Sequence, residues 1–219
     1  MKYSWFIVLF YVLYLSLVFF GKEDLAFYIK PFLVPSLLFL FPIRHVFLFK
    51  RLFFVVLFST LGDVFLMFNG SIFFILGLSS FLIAHLIYVL IFWAALNPIR
   101  INLMFFLKTL LVTTYFCIFL SFLSPYLGPM KAPVFIYAAI LSIMLWFAIH
   151  SNARHPFLRL LIILGALSFA ISDSMLSTRL FYGTFKNAHF FVMSTYLFAQ
   201  FLMVYGMLEA EKKEKSLIK

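Results

Sequence analysis

Apolar runs of about 20 residues, the length that carries a helix across hydrocarbon, follow one another along the chain with only short polar breaks. They cover residues 4–20, 25–41, 46–68, 71–96, 103–123, 132–151, 157–180 and 189–208, and predict eight helical spans. The connections are short, so a single transmembrane helical domain over residues 1–208 is expected, followed by a charged tail at 209–219. The second run carries Lys30, Pro31 and Pro35. Proline removes a backbone donor, so this span is expected to be kinked or broken.

Composition agrees with the pattern and excludes a soluble domain: 66% of residues are hydrophobic, 11% are charged, and the mean hydropathy is +1.14. The fold class is therefore all-α, a polytopic membrane helix bundle. A net charge of +10 would suggest nucleic acid in a soluble chain. Here the cations flank apolar runs, so they predict orientation and no nucleic-acid partner. With both termini cytoplasmic, twelve of the 17 Lys and Arg fall on the inner side, among them Arg44, Lys50, Arg51, Arg100, Arg154 and Arg159. The membrane is a bacterial inner membrane or one of endoplasmic-reticulum type. The N-terminal run has no small-x-small cleavage site and reads as an uncleaved first span. The one cysteine, Cys117, rules out an intrachain disulfide and any cysteine-based metal site.

Against this background the polar residues stand out. Of seven acidic residues, Glu23 and Asp24 sit in one loop and Glu209, Glu211 and Glu214 in the tail, leaving Asp63 and Asp173 inside apolar runs. A carboxylate at the centre of a spanning helix costs about 2.5–3.5 kcal/mol or more, so such residues usually serve a function. At about 1.5 Å of rise per residue, Asp63, Asp173, Lys30, Tyr137 and Tyr196 all fall about 8–10 Å below the outer ends of their spans. His85 and Gln200 lie nearer the middle. Gly62-Asp63-Val64-Phe65-Leu66 also echoes Ser172-Asp173-Ser174-Met175-Leu176 four spans later. That is compatible with a parallel four-plus-four repeat.

Two buried carboxyls facing each other are the arrangement that acid–base chemistry uses. Their bland alternative is a structural pairing with Lys30 or with nearby hydroxyls. Lys30, next to a proline kink, is a candidate counter-ion or a ligand for a substrate phosphate, or else a snorkelling cation. His85 and Tyr88 are three apart and share a helix face. No two histidines have helical ligand spacing, so neither a metal nor another cofactor is expected. Ser172 precedes Asp173 but points elsewhere on a helix, which argues against a Ser–Asp dyad.

The ordered set of motifs resembles the YhhN family, whose mammalian members are lysoplasmalogenases. The set is Lys30-Pro31; Leu61-Gly62-Asp63-Val64-Phe65-Leu66-Met67; Gly77 with Phe81-x3-His85-x2-Tyr88; Tyr137 with Met144; Gly165-Ala166 leading to Ser172-Asp173-Ser174; and Tyr196 with Gln200. The resemblance implies an eight-span hydrolase cleaving the vinyl ether of a lysophospholipid to a fatty aldehyde and a glycerophospho-base. Asp63 and Asp173 would then be the catalytic carboxyls. Lys30, His85, Tyr88, Tyr137, Ser172, Tyr196 and Gln200 would bind substrate or water. Competing readings are a proton-coupled lipid or small-molecule transporter, a lipid-binding sensor, and a hydrolase of another lysolipid.

Overall fold

A computed structural model describes residues 4–41, 50–94, 101–151 and 155–217. All regular structure among them is helical: α1 (Ser4–Phe19), α2 (Glu23–Leu33), α3 (Lys50–Phe65), α4 (Ser71–Ala94), α5 (Leu103–Leu123), α6 (Lys131–His150), α7 (Pro156–Ser177) and α8 (Ala188–Leu217). Such segments satisfy every interior backbone group themselves, which lipid requires. Five stretches, 71–94, 103–126, 128–150, 156–182 and 188–213, are long and apolar enough to cross a membrane. These are the features of a polytopic membrane helix bundle. Lys2, Arg44, Arg100 and Arg154, on which the expected orientation partly rests, lie outside the described residues.

Local signals set several boundaries. Asn102 caps α5 by accepting a hydrogen bond from the Phe105 amide (2.9 Å). Pro156 opens α7 at a position where its missing N–H costs nothing. The proline-bearing second apolar run is broken as its sequence suggests: α2 ends at Leu33 and a 3-10 segment, Pro35–Leu40, continues it. The two pieces rise about 28 Å, close to the thickness of the hydrocarbon layer. α8 runs past residue 208 into the charged segment, where Lys212 meets Glu209 at 2.7 Å. That half-buried pair, one turn apart on a single helix, adds little stability.

Packing between neighbours closes into a circuit. It passes from α1 to α2, α3, α4, α6, α7 and α8 and back to α1, while α5 lies outside against α6. α5 is accordingly the least buried of the five long helices and α8 the most. The closest crossings use glycine, as membrane helices do. A methyl placed on Gly77 of α4 would lie 3.3 Å from the Gly62 carbonyl oxygen of α3, and one on Gly165 of α7 would lie 3.1 Å from the Ala199 oxygen and the Met203 nitrogen of α8. The two pairs α3–α4 and α7–α8 thus have backbones almost in contact, and each aspartate sits on the first helix of its pair.

At its C-terminal end α7 widens. Ser174, Ser177 and Thr178 return their hydroxyl protons to the carbonyls of Ala170, Asp173 and Ser174, a pattern that bends helices. The chain then makes one π-helical turn over Thr178–Tyr182, a distortion common at functional sites.

Candidate functional site

Asp63 is buried in the last turn of α3, and Tyr196 of α8 donates its hydroxyl proton to Asp63 Oδ2 at 2.7 Å. The tyrosine is held in turn by Gln200, one turn along α8. Gln200 Nε2 donates to Tyr196 Oη (3.4 Å) and to Ser59 Oγ (3.1 Å), and its Oε1 accepts from Tyr88 Oη (3.3 Å). This chain joins α3, α4 and α8 through the interior. Asp173, half-buried on α7, is met in the same way: Tyr137 of α6 donates to its Oδ2 at 2.5 Å. Each carboxyl therefore has one oxygen fixed by a phenol and the other available.

Both carboxyls line one cavity of about 400 Å³ at the end of the bundle that holds the α1–α2, α3–α4 and α7–α8 connections. Lys30 and Arg179 line the same cavity, Lys30 from the turn before Pro31 and Arg179 from the π turn. Two basic side chains with no carboxylate at ion-pairing distance among the described residues thus face the cavity. At the mouth, His189 stands between Glu23 Oε1 (3.4 Å from Nδ1) and Tyr14 Oη (3.5 Å from Nε2).

The cavity thus brings together Lys30, Asp63, Ser172, Asp173 and Tyr196. Ser172 is turned to a structural task, donating to the Val192 carbonyl at 2.9 Å. Tyr137 reaches Asp173 from a second, narrower cleft of about 60 Å³. Tyr88 and Gln200 stand behind the wall and hold Tyr196. His85 is fully buried, edge-on to the rings of Phe169 and Tyr137 at 4.7 and 5.3 Å, with no partner among the described residues for either ring nitrogen. Among the described residues no three His, Cys, Asp or Glu side chains are placed to hold a metal ion.

A family model described as the YhhN family matches residues 25–207, a range that takes in every one of these groups except Tyr14 and Glu23. The chain belongs to the YhhN family. Among its relatives are human lysoplasmalogenase TMEM86B, 31% identical over 69% of this chain and 61% of that protein, and the rat TMEM86B, 33% identical over 69% and 59%. Bovine lysoplasmalogenase TMEM86A is 28% identical over 74% of this chain and 67% of its own length. The chain spans about 60% of the length of the TMEM86B relatives. No solved structure matches it.

In this YhhN protein, sequence reasoning passed over Arg179, Glu23 and His189, which read as loop and rim residues. Arg179 follows Asp173 by six residues, under two helical turns, so proximity to the acid was the available signal. The π turn that swings it into the cavity was not foreseeable from composition.

Proposed function

We propose that this protein is a membrane-embedded lysoplasmalogenase, hydrolysing the 1-alkenyl ether of a lysophospholipid to a fatty aldehyde and a glycerophospho-base. The observation that carries the reading is the pair of carboxyls on one cavity wall, each anchored by a phenol, beside two unpaired cations. The names of the mammalian relatives support the substrate class. We read the bundle as eight spans with both termini cytoplasmic, in two parallel halves, with the cavity in the outer half of the bilayer.

The reaction suits the groups present. One carboxylic acid gives its proton to the β-carbon of the vinyl ether, and the α-carbon becomes an oxocarbenium ion. Water adds there as the second carboxylate takes its proton, leaving a hemiacetal. The hemiacetal then returns its hydroxyl proton to the first carboxylate as the C–O bond to glycerol breaks, and the second carboxyl protonates the departing oxygen. The net change is addition of one water, and both carboxyls are restored. Glycosidases divide labour between two carboxyls in the same way, and proton transfer by a positioned side chain is worth about 10²–10⁴-fold. Tyr196 and Tyr137 orient the two carboxyls, while Lys30 and Arg179 hold the phosphate.

Incubating purified protein in detergent with alkenyl, acyl and alkyl lysolipids, and identifying products by mass spectrometry, tests this. Release of fatty aldehyde from the alkenyl lipid alone is expected. Release of fatty acid from the acyl lipid, or turnover of none, would sink the proposal. A transporter shows no turnover in detergent and a signal only in sealed vesicles.

A further inference from the structure

We propose that the hydrocarbon chain of the substrate lies in the apolar cleft beside Asp173 and passes into the bilayer between α5 and α7. This rests on a lysolipid being the ligand of the polar cavity, and it adds a chain-binding path and a lateral door to that cavity.

Three observations carry it. First, the cleft of about 60 Å³ between α4, α5, α6 and α7 adjoins the polar cavity, with Leu66, Phe74, Phe81, Asp173, Leu176 and Leu180 lining both. Asp173 alone among the charged groups belongs to both, so it marks the boundary between polar and apolar space. In a 1-alkenyl lysolipid that same boundary falls at the ether, with phosphate on one side and chain on the other. A head group held at Lys30 and Arg179 leaves the cleft as the apolar exit for the chain.

Second, the cleft continues outward. An open surface groove lies between α5 and α7, lined by Tyr115, Ile171, Met175, Thr178 and Phe185, and it shares Phe119 and Ser174 with the cleft. The two make a narrow path from Asp173 to the lipid-facing surface, the shape that a single alkyl chain fills.

Third, the door is weakly held. α5 packs on α6 and touches the π turn, and it stands outside the closed circuit of helices. Among the described residues one hydrogen bond crosses from α5 to α7, between Tyr115 Oη and Ser174 Oγ at 2.8 Å. Ser174 already donates to the Ala170 carbonyl, so Tyr115 is the donor. A single hydrogen bond is a small barrier to parting two helices for each substrate.

The test is photolabelling of the full-length protein, reconstituted in lipid, with an alkyl-ether lysophosphatidylethanolamine carrying a diazirine at mid-chain. The alkyl ether is not cleaved, so labelling does not depend on hydrolysis. Adducts within residues 115–120 and 171–178, abolished by excess unlabelled lysolipid, are expected. Adducts on α1 and α2, or a pattern that survives competition, would overturn the path. A second arm uses Ala138→Phe, which fills the cleft from α6. The ratio of kcat/KM for a sixteen-carbon to a four-carbon alkenyl lysolipid is expected to fall by about tenfold, the scale on which apolar pockets discriminate chain length. An unchanged ratio overturns the proposal whatever the absolute rates. If no lysolipid is hydrolysed yet the label maps to the cleft, the enzymatic reading fails and the chain path stands; hydrolysis with the label elsewhere is the reverse.

Discussion

Gly165→Ala tests the view that the α7–α8 crossing sets the geometry of the site. The added methyl would meet the Ala199 oxygen and the Met203 nitrogen at 3.1 Å and Met203 Cγ at 2.6 Å, whereas ordinary contact begins at 3.4 Å. Two of those three atoms are backbone, so at least a few tenths of an ångström must come from moving the helices apart. Met203 is fully buried and has no solvent into which to swing. Overpacking of this kind costs about 1–3 kcal/mol, which for a chain of this size lowers the melting temperature by about 2–12 °C. Asp173 lies on the helix that moves, while Tyr196 and its Asp63 partner stay with α8. A misplacement approaching 1 Å costs about 10²-fold, so a smaller shift should lower kcat by about tenfold. Gly206→Ala at the same interface is the control, because its methyl meets Ile162 Cγ1 at 3.1 Å and nothing else closer than 3.4 Å. Thermal unfolding in detergent and aldehyde release should rank wild type above Gly206→Ala above Gly165→Ala. If Gly165→Ala matches Gly206→Ala in both readouts, the crossing does not govern the site.

Three other outcomes follow from the same geometry. Asp63→Asn and Asp173→Asn should each lower kcat by about 10²–10⁴-fold, and the double variant should be no worse than the weaker single one because the carboxyls act as a unit; independent, multiplying losses would contradict a shared reaction. Arg179→Gln should raise KM for a phosphate-bearing lysolipid by about tenfold or more, the worth of one hydrogen bond to a charged group, and leave 1-alkenylglycerol unaffected; equal effects on both would remove Arg179 from head-group recognition. His85→Phe should leave the melting temperature unchanged or raise it, because a buried imidazole without protein partners costs about 1–3 kcal/mol; a clear drop would show that His85 has a partner which Phe cannot replace.

An all-helical, strongly apolar bundle, the break at Pro31–Pro35 and the cost of placing Asp63 and Asp173 in apolar helices were legible in the sequence, because each depends on residues close together in the chain. Equal depth also singled out Tyr137 and Tyr196. Depth alone does not say who touches whom. Lys30 was a candidate counter-ion for a carboxyl, yet phenols rather than the ammonium contact the acids: Tyr137 reaches Asp173 from the neighbouring α6, and Tyr196 reaches Asp63 from α8. Arg179 escaped notice because its direction is set by the π turn, which follows from three hydroxyls bonding back along α7. The outlying position of α5 was also hidden: α4 and α5 are both long and apolar enough to cross a membrane, and only packing separates a helix inside the circuit from one beside it.

α8 carries Tyr196 and His189 near one end and the Glu209–Lys212 pair near the other, on one uninterrupted helix of 30 residues. Such a helix is about 45 Å long, so it acts as a lever whose far arm emerges among charged side chains. A spectroscopic label attached near residue 212 would therefore report tilting of the cavity wall from outside the bundle, without touching the site. In practical terms the protein carries its own pointer, and motions that accompany lipid entry can be read at the end easiest to modify.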